Sequence, residues 1–164
     1  MSEHTSIQYE ISKLGLPKGR WQEQLLDFVG EKVDIGRVDC YYPTNNNREV
    51  TIAAWTSGLE GAQRLIAQFS LSFMPGCKGI LISHATAVSP EFQGRGVGRA
   101  MSLLKSYIAW ELRCSKMIAT VLVDNTTENH LLESSNWKRV GEPFVNTRTG
   151  HNVQMWERRV YDEL

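Results

Sequence analysis

Residues 89–101 read SPEFQGRGVGRAM, with glycines at 94, 96 and 98 and arginines at 95 and 99. Glycines at every second position let a group come close to the backbone, because no Cβ stands in the way. Where such a run opens a helix, the unpaired N–H groups of the first turn and about half a positive charge from the helix dipole suit an anion. Arg95 and Arg99 add full positive charges beside it. The chemistry these residues support is the binding of a phosphate-bearing ligand at residues 93–99. A turn that only connects two elements would use the same glycines. Two common phosphate loops are excluded: no G-K-[ST] follows, as a Walker A loop requires, and the third glycine comes one residue too early for G-x-G-x-x-G.

Such a site needs a strand to feed the loop and a helix to leave it. ILISHATAV, residues 80–88, reads as that strand, entered through the turn MPGCKG. From Val97 the apolar period becomes helical, with Val97, Met101, Leu104 and Ile108 on one face, Ala100, Leu103 and Tyr107 widening it, and Arg99, Ser102, Ser106 and Arg113 opposite. MIATVLVDN, residues 117–125, is apolar on nearly both faces, as a central strand beside a parallel neighbour should be. Strand, helix and strand make a βαβ crossover.

Around this unit lie further elements. A short amphipathic helix is expected from Pro17 to Gly30, with Trp21, Leu25 and Phe28 at helical spacing. PTNNNRE, residues 43–49, reads as a loop, followed by a strand in VTIAAWTS that pairs across LEGAQ with an alternating run. That run places Leu65, Ala67, Phe69, Leu71 and Phe73 on one face and Ile66, Gln68, Ser70 and Ser72 on the other, so it should be buried on one face only. A short helix near residues 127–135 follows the central strand. WKRVGEPF and NVQMWERRV then form an antiparallel hairpin around NTRTGHN.

Gln93, Gly96 and Gly98, preceded by V-S-P at residues 88–90, fit Q-x-x-G-x-G, which resembles the acyl-coenzyme A signature of the GNAT superfamily of N-acyltransferases. A second stretch is similar to the family's Leu-Tyr-Glu-Lys-x-Gly-Phe: after Asn125 comes LLESSNW, placing Leu131, Leu132, Glu133 and Trp137 on its positions. The resemblance runs from about residue 6 to about residue 160 and implies a single domain over residues 1–164. Its fold would be α/β, with a mixed, mostly antiparallel sheet, one parallel crossover, splayed central strands and a C-terminal hairpin. The resemblance further implies acetyl-CoA as cofactor. Its pyrophosphate would lie on Gln93, Gly94, Arg95, Gly96, Val97, Gly98 and Arg99, and its pantetheine arm along the strand ending near Ala87 and Val88, with Asn125 nearby. A backbone N–H near Ala87 or Val88 would polarise the thioester carbonyl.

The acceptor amine must be neutral to attack, and a thiolate must leave. The family often places a basic carboxylate on the strand before the loop, but the corresponding residue here is Ile82. His84, two residues on and on the same face, is the candidate base, since imidazole titrates near about 6.5. A half-buried structural histidine, or a base acting through a water chain, are the alternatives. The family's acidic tyrosine is replaced by Leu132, and Ser134, Ser135 or a water would have to supply the proton. Asn125 also suits a helix cap.

The remaining composition narrows the setting. At 164 residues and 41% hydrophobic, the chain can bury a core of one domain. Eighteen basic and eighteen acidic residues cancel, which argues against a non-specific nucleic-acid or membrane binder. Arg148, His151, Arg158 and Arg159 sit near Glu157, Asp162 and Glu163 and read as a solvated face. Cys40, Cys77 and Cys114 are odd in number and lack C-x-x-C spacing, so neither a disulfide framework nor a metal site is indicated. Trp55, Trp110, Trp137 and Trp156 read as core or interface. The N-terminus MSEHTSIQYE lacks the features of a signal peptide, and a cytoplasmic protein is expected. FVNTRTGHNVQMWERRV resembles the tail of small phage-encoded members of the family, which would place the protein in a host cytoplasm. Two functions fit: an N-acetyltransferase acting on a primary amine of a small molecule or protein, or a coenzyme A-binding protein that modulates a partner enzyme by gripping it. A homodimer is compatible with both.

Overall fold

The computed structural model describes residues 23, 25–28, 33–41, 49–59 and 61–160. Among the described residues, seven strands form one sheet in the order β1-β2-β3-β4-β5-β7-β6. β1 (Arg37–Tyr41), β2 (Glu49–Trp55), β3 (Leu65–Met74) and β4 (Cys77–Val88) follow one another antiparallel. After a 3₁₀ turn (Pro90–Phe92), α1 (Val97–Glu111) crosses to β5 (Lys116–Leu122), which runs parallel to β4. α2 (Thr126–Ser134) leads to the hairpin of β6 (Lys138–Val145) and β7 (Asn152–Arg159), and β7 inserts between β5 and β6. The mixed α/β sheet with a single parallel pair and a C-terminal hairpin is the architecture that the sequence predicts.

The helical stripe of α1 forms as its period requires. Val97, Ala100, Met101, Leu104 and Ile108 are at most 2% exposed and share one buried cluster with Phe69, Leu71, Leu81 and Met117 of the sheet. Two polar residues expected to face solvent do not. Ser102 and Ser106 are buried, and Ser106 Oγ donates back to the Ser102 carbonyl at 3.1 Å, which satisfies the hydroxyl without water. Of the tryptophans expected in core or interface, Trp137 and Trp156 are buried, whereas Trp110 is 43% exposed and outside the core.

β3 differs from its expected one-sided burial. Ile66 and Ser70, on the face opposite Phe69, are buried too, and Ser70 Oγ shares a 2.8 Å hydrogen bond with Thr51 Oγ1 of β2. Two hydroxyls that satisfy each other can be buried at positions that alternation alone assigns to solvent. β5 departs the other way. Met117, Ala119 and Val121 are buried, whereas Thr120 and Leu122 are exposed, beyond the last residue that pairs with β4.

Of the helix expected from Pro17 to Gly30, residues 25–28 are helical, with Leu25 fully buried and Phe28 exposed; the rest lies outside the described residues. The loop expected over 43–49 also lies outside them, except that Glu49 already belongs to β2. No helix among the described residues is long and apolar enough to cross a membrane.

Candidate functional site

β4 and β5 pair at only three positions, Ile80 with Lys116, Leu81 with Met117 and Ile82 with Ile118. Yet β4 continues to Val88 and β5 to Leu122, so the strands part after Ile82 and leave a gap in the sheet. A cleft of about 590 Å³ lies where they separate, lined by β4 from Thr86 to Val88, the loop and first turn of α1, and the cleft-facing side of α2.

The loop is held firmly from outside. Ser89 N donates to the Ile66 carbonyl at 2.9 Å and Ser89 Oγ to the Leu65 carbonyl at 2.6 Å, tying the end of β4 to the start of β3. Phe92 is buried, and Gln93 Nε2 donates to the Val88 carbonyl at 3.0 Å. Gly94 and Gly96 then take φ of 75° and 82°, the left-handed region that costs other residues about 1–2 kcal/mol. A Cβ on either would meet nothing within 4 Å, so both face open space. Gly96 is the N-cap of α1, and no side chain caps the helix. Its first N–H groups, which have no intrahelical partner, open onto the cleft. No acidic residue occupies the first turn. Gly98 serves another purpose: a Cβ there would lie 3.3 Å from Leu131 Cδ2, so its absence lets α1 approach α2.

α2 is positioned by amides. Asn125 Oδ1 accepts from Glu128 N at 3.2 Å, the cap foreseen for this residue. Asn129 Nδ2 donates to the carbonyls of Leu122 and Asn125, and its Oδ1 accepts from Trp156 Nε1 at 3.0 Å, which pins the helix to β5 and β7. The cleft-facing side carries Thr127, His130, Leu131 and Ser134. Leu132, the residue on the tyrosine position, is 3% exposed and belongs to the hydrophobic cluster instead. Ser134 lines the cleft, but its hydroxyl donates to the Leu131 carbonyl at 3.0 Å.

Of the residues singled out from the sequence, Ala87, Val88, Gln93, Gly94, Gly96, Val97, Gly98, Arg99, Asn125 and Ser134 meet around the cleft. Arg95 does not line it; its guanidinium lies 5.9 Å from the Phe92 ring centroid. His84 lies outside the lining as well, on the strand that bounds it. Ala85 has φ 53°, and opposite it the register slips, so that Ser70 faces His84 while Gln68 faces Ala87. Gln68 and Ser70 share a face of β3, so this bulge puts His84 on the same face as Ala87. There His84 Nε2 lies 3.5 Å from Ser72 Oγ and 4.0 Å from Glu49 Oε2. Glu49 and Ser72 were not foreseen, because their approach depends on the register of three strands.

Lys105 was also missed. It is 3% exposed in the middle of α1; Nζ donates to Thr86 Oγ1 at 2.6 Å and lies 5.3 Å from the Phe69 ring centroid. Burial lowers its pKa to about 8, while the Glu128 carboxylate pulls the other way. The signal was present: Lys105 falls four residues after Met101 and three before Ile108, inside the apolar stripe.

No family model and no curated protein matches this sequence. The fold is that of the GNAT acetyltransferases. Nourseothricin acetyltransferase is similar over 73% of this chain and 70% of its own, at 18% identity and a TM-score of 0.58. A chimera of spermidine N-acetyltransferase SpeG from Vibrio cholerae with hSSAT is similar over 88% of this chain and 92% of its own, at 16% identity and a TM-score of 0.58. YncA of Salmonella typhimurium, assigned as an acetyltransferase and solved with its cofactor acetyl-CoA, is similar over 70% of this chain and 66% of its own, at 16% identity and a TM-score of 0.55.

Proposed function

We propose that the protein is an acetyl-CoA-dependent N-acetyltransferase acting on a primary amine. The observation that carries this reading is the uncapped N-terminus of α1, with left-handed Gly94 and Gly96 open to the cleft where β4 and β5 part. The residues present fit the cofactor. Backbone N–H groups from Gly94 to Gly98 would hold the pyrophosphate, with Arg99 beside them, while the Gln93 N–H is engaged by the Pro90 carbonyl at 3.3 Å, and the edge of β4 at Ala87 and Val88 would hold the pantetheine amides. When bound, acetyl-CoA supplies an activated acetyl group as a thioester.

This chain's own residues do the rest. His84 takes the proton that the acceptor amine must lose, and the Glu49 carboxylate stabilises the imidazolium formed. A backbone N–H near Ala87 or Val88, which line the cleft, would polarise the thioester carbonyl. Spermidine and nourseothricin name the enzymes among the similar folds, and a small amine acceptor is the class this reading expects. Calorimetric titration with acetyl-CoA, followed by mass spectrometry of an amine panel, tests it. Saturable binding and an acetylated amine are expected; no heat of binding to acetyl-CoA at millimolar concentration would refute the assignment.

A further inference from the structure

We infer that Thr86 is the proton donor to the departing thiolate and that Lys105 recharges it from beneath the strand. The inference rests on the acetyl-CoA reading above. Thr86 is the first β4 residue in the lining of the cleft, close to where β4 and β5 separate. Its Oγ1 accepts from Lys105 Nζ at 2.6 Å, so its own hydroxyl proton is left to point elsewhere. The residue on the family's acid position, Leu132, has no dissociable proton and is buried away from the lining.

The surroundings of Lys105 suit a group that gives up a proton and takes it back. β4 presents the Thr86 hydroxyl, β3 the face of the Phe69 ring, and α2 the carboxylate of Glu128, which also lines the cleft. An ammonium in such a place is costly unless it serves a purpose, since a methionine of similar length would pack without desolvation. Its pKa of about 8 lies close to that of a thiol, near about 8.5, so a proton passes between the two without a large barrier in either direction.

The balance is complete. The amine nitrogen bonds to the acyl carbon as the carbon–sulfur bond breaks, and the proton shed by the amine goes to His84. Thr86 Oγ1 gives its proton to the sulfur and takes one from Lys105 Nζ, which is left neutral. Lys105 regains a proton from solvent through the cleft, and His84 releases one to solvent.

The test uses the full chain and free coenzyme A, whose thiolate is followed by its ultraviolet absorbance across pH. Bound to wild type, the thiol is expected to titrate about one unit below the free compound, because the Thr86 hydroxyl, polarised by the Lys105 ammonium, donates to the thiolate form. Thr86→Val and Lys105→Met should each abolish that shift while binding coenzyme A within about threefold of wild type, and Thr86→Ser should retain it. In single-turnover acetyl transfer, both variants should lose at least about tenfold in rate with KM for acetyl-CoA unchanged. Wild type should also slow as pH rises through about 8, and Lys105→Met should not. An unshifted thiol in wild type with coenzyme A bound, or a shift that survives Thr86→Val, would overturn the relay alone. Failure of wild type to bind coenzyme A would overturn the cofactor reading instead.

Discussion

Two helix N-termini face the same cleft and are finished in opposite ways. α2 is closed by its own chain: Asn125 caps it, and Glu128 sits in its first turn, complementing the dipole. α1 begins at a left-handed glycine, has no side-chain cap and carries no acid in its first turn. The same orphaned donors that α2 satisfies internally are left open at α1, next to Arg99 and away from any carboxylate of its own. The difference teaches which terminus is structural and which is built to receive a charge from outside. A chain under pressure only for stability would cap both.

The largest expected effect comes from giving α1 what α2 already has. Gly96→Asp places a carboxylate at the helix start, where it favours the dipole but repels an anion, and aspartate tolerates a left-handed backbone better than most residues. Affinity for coenzyme A, read by calorimetry, should fall at least about a hundredfold, the equivalent of two charge-assisted hydrogen bonds, with little loss of melting temperature. Gly96→Val should abolish binding as well, at some cost in stability from the backbone strain. Gly98→Val should weaken binding less, because its Cβ meets the flexible end of Leu131 and not backbone. Unaltered affinity in Gly96→Asp would erase the distinction between the two termini.

His84→Ala probes the other end of the cleft's strand. It should lower kcat by at least about tenfold at neutral pH and leave coenzyme A affinity as it is, the reverse of the loop variants. Equal loss of binding would mean that His84 belongs to the cradle. Next in size, Arg99→Ala should weaken coenzyme A binding by about tenfold at low ionic strength and less at high salt, in keeping with a lost charge-assisted contact. Arg95→Ala should do less, since that guanidinium lies over Phe92 and does not line the cleft.

The open terminus was legible in the sequence and the closed one nearly so. Glycines at alternate positions between a strand and a helix carry their meaning locally, and so does an asparagine before Thr126. The hairpin and the crossover were legible for the same reason, because their periods are written in consecutive residues. The Ala85 bulge was not, since nothing in HAT marks an alanine for a left-handed backbone. With the bulge hidden, the face shared by His84 and Ala87 was hidden too. Ser106 misled because a buried serine that bonds back to its own helix looks like a solvated one, and Ser102 because its residue type alone does not show that it packs inside. Leu132 could be aligned with a motif but not oriented, since orientation depends on how α2 is pinned by Asn129 and Trp156.

The smallest effect is expected at the capped terminus, and it tests the comparison from the other side. Asn125 borders the cleft, but its side-chain oxygen is already engaged by Glu128 N. Replacing it with alanine removes one cap and should cost about 1 kcal/mol in urea denaturation. Fraying should remain confined to the first turn, because Asn129 still ties α2 to the end of β5 and to Trp156. Coenzyme A affinity should therefore change by less than about threefold, since the backbone that frames the cleft stays in place. A loss of affinity on the scale of Gly96→Asp, with stability unchanged, would mean that Asn125 contacts the ligand and that the two termini share its binding. The predicted pattern is the inverse at the two sites: at α1 a substitution that removes binding and spares the fold, at α2 one that loosens the fold and spares binding.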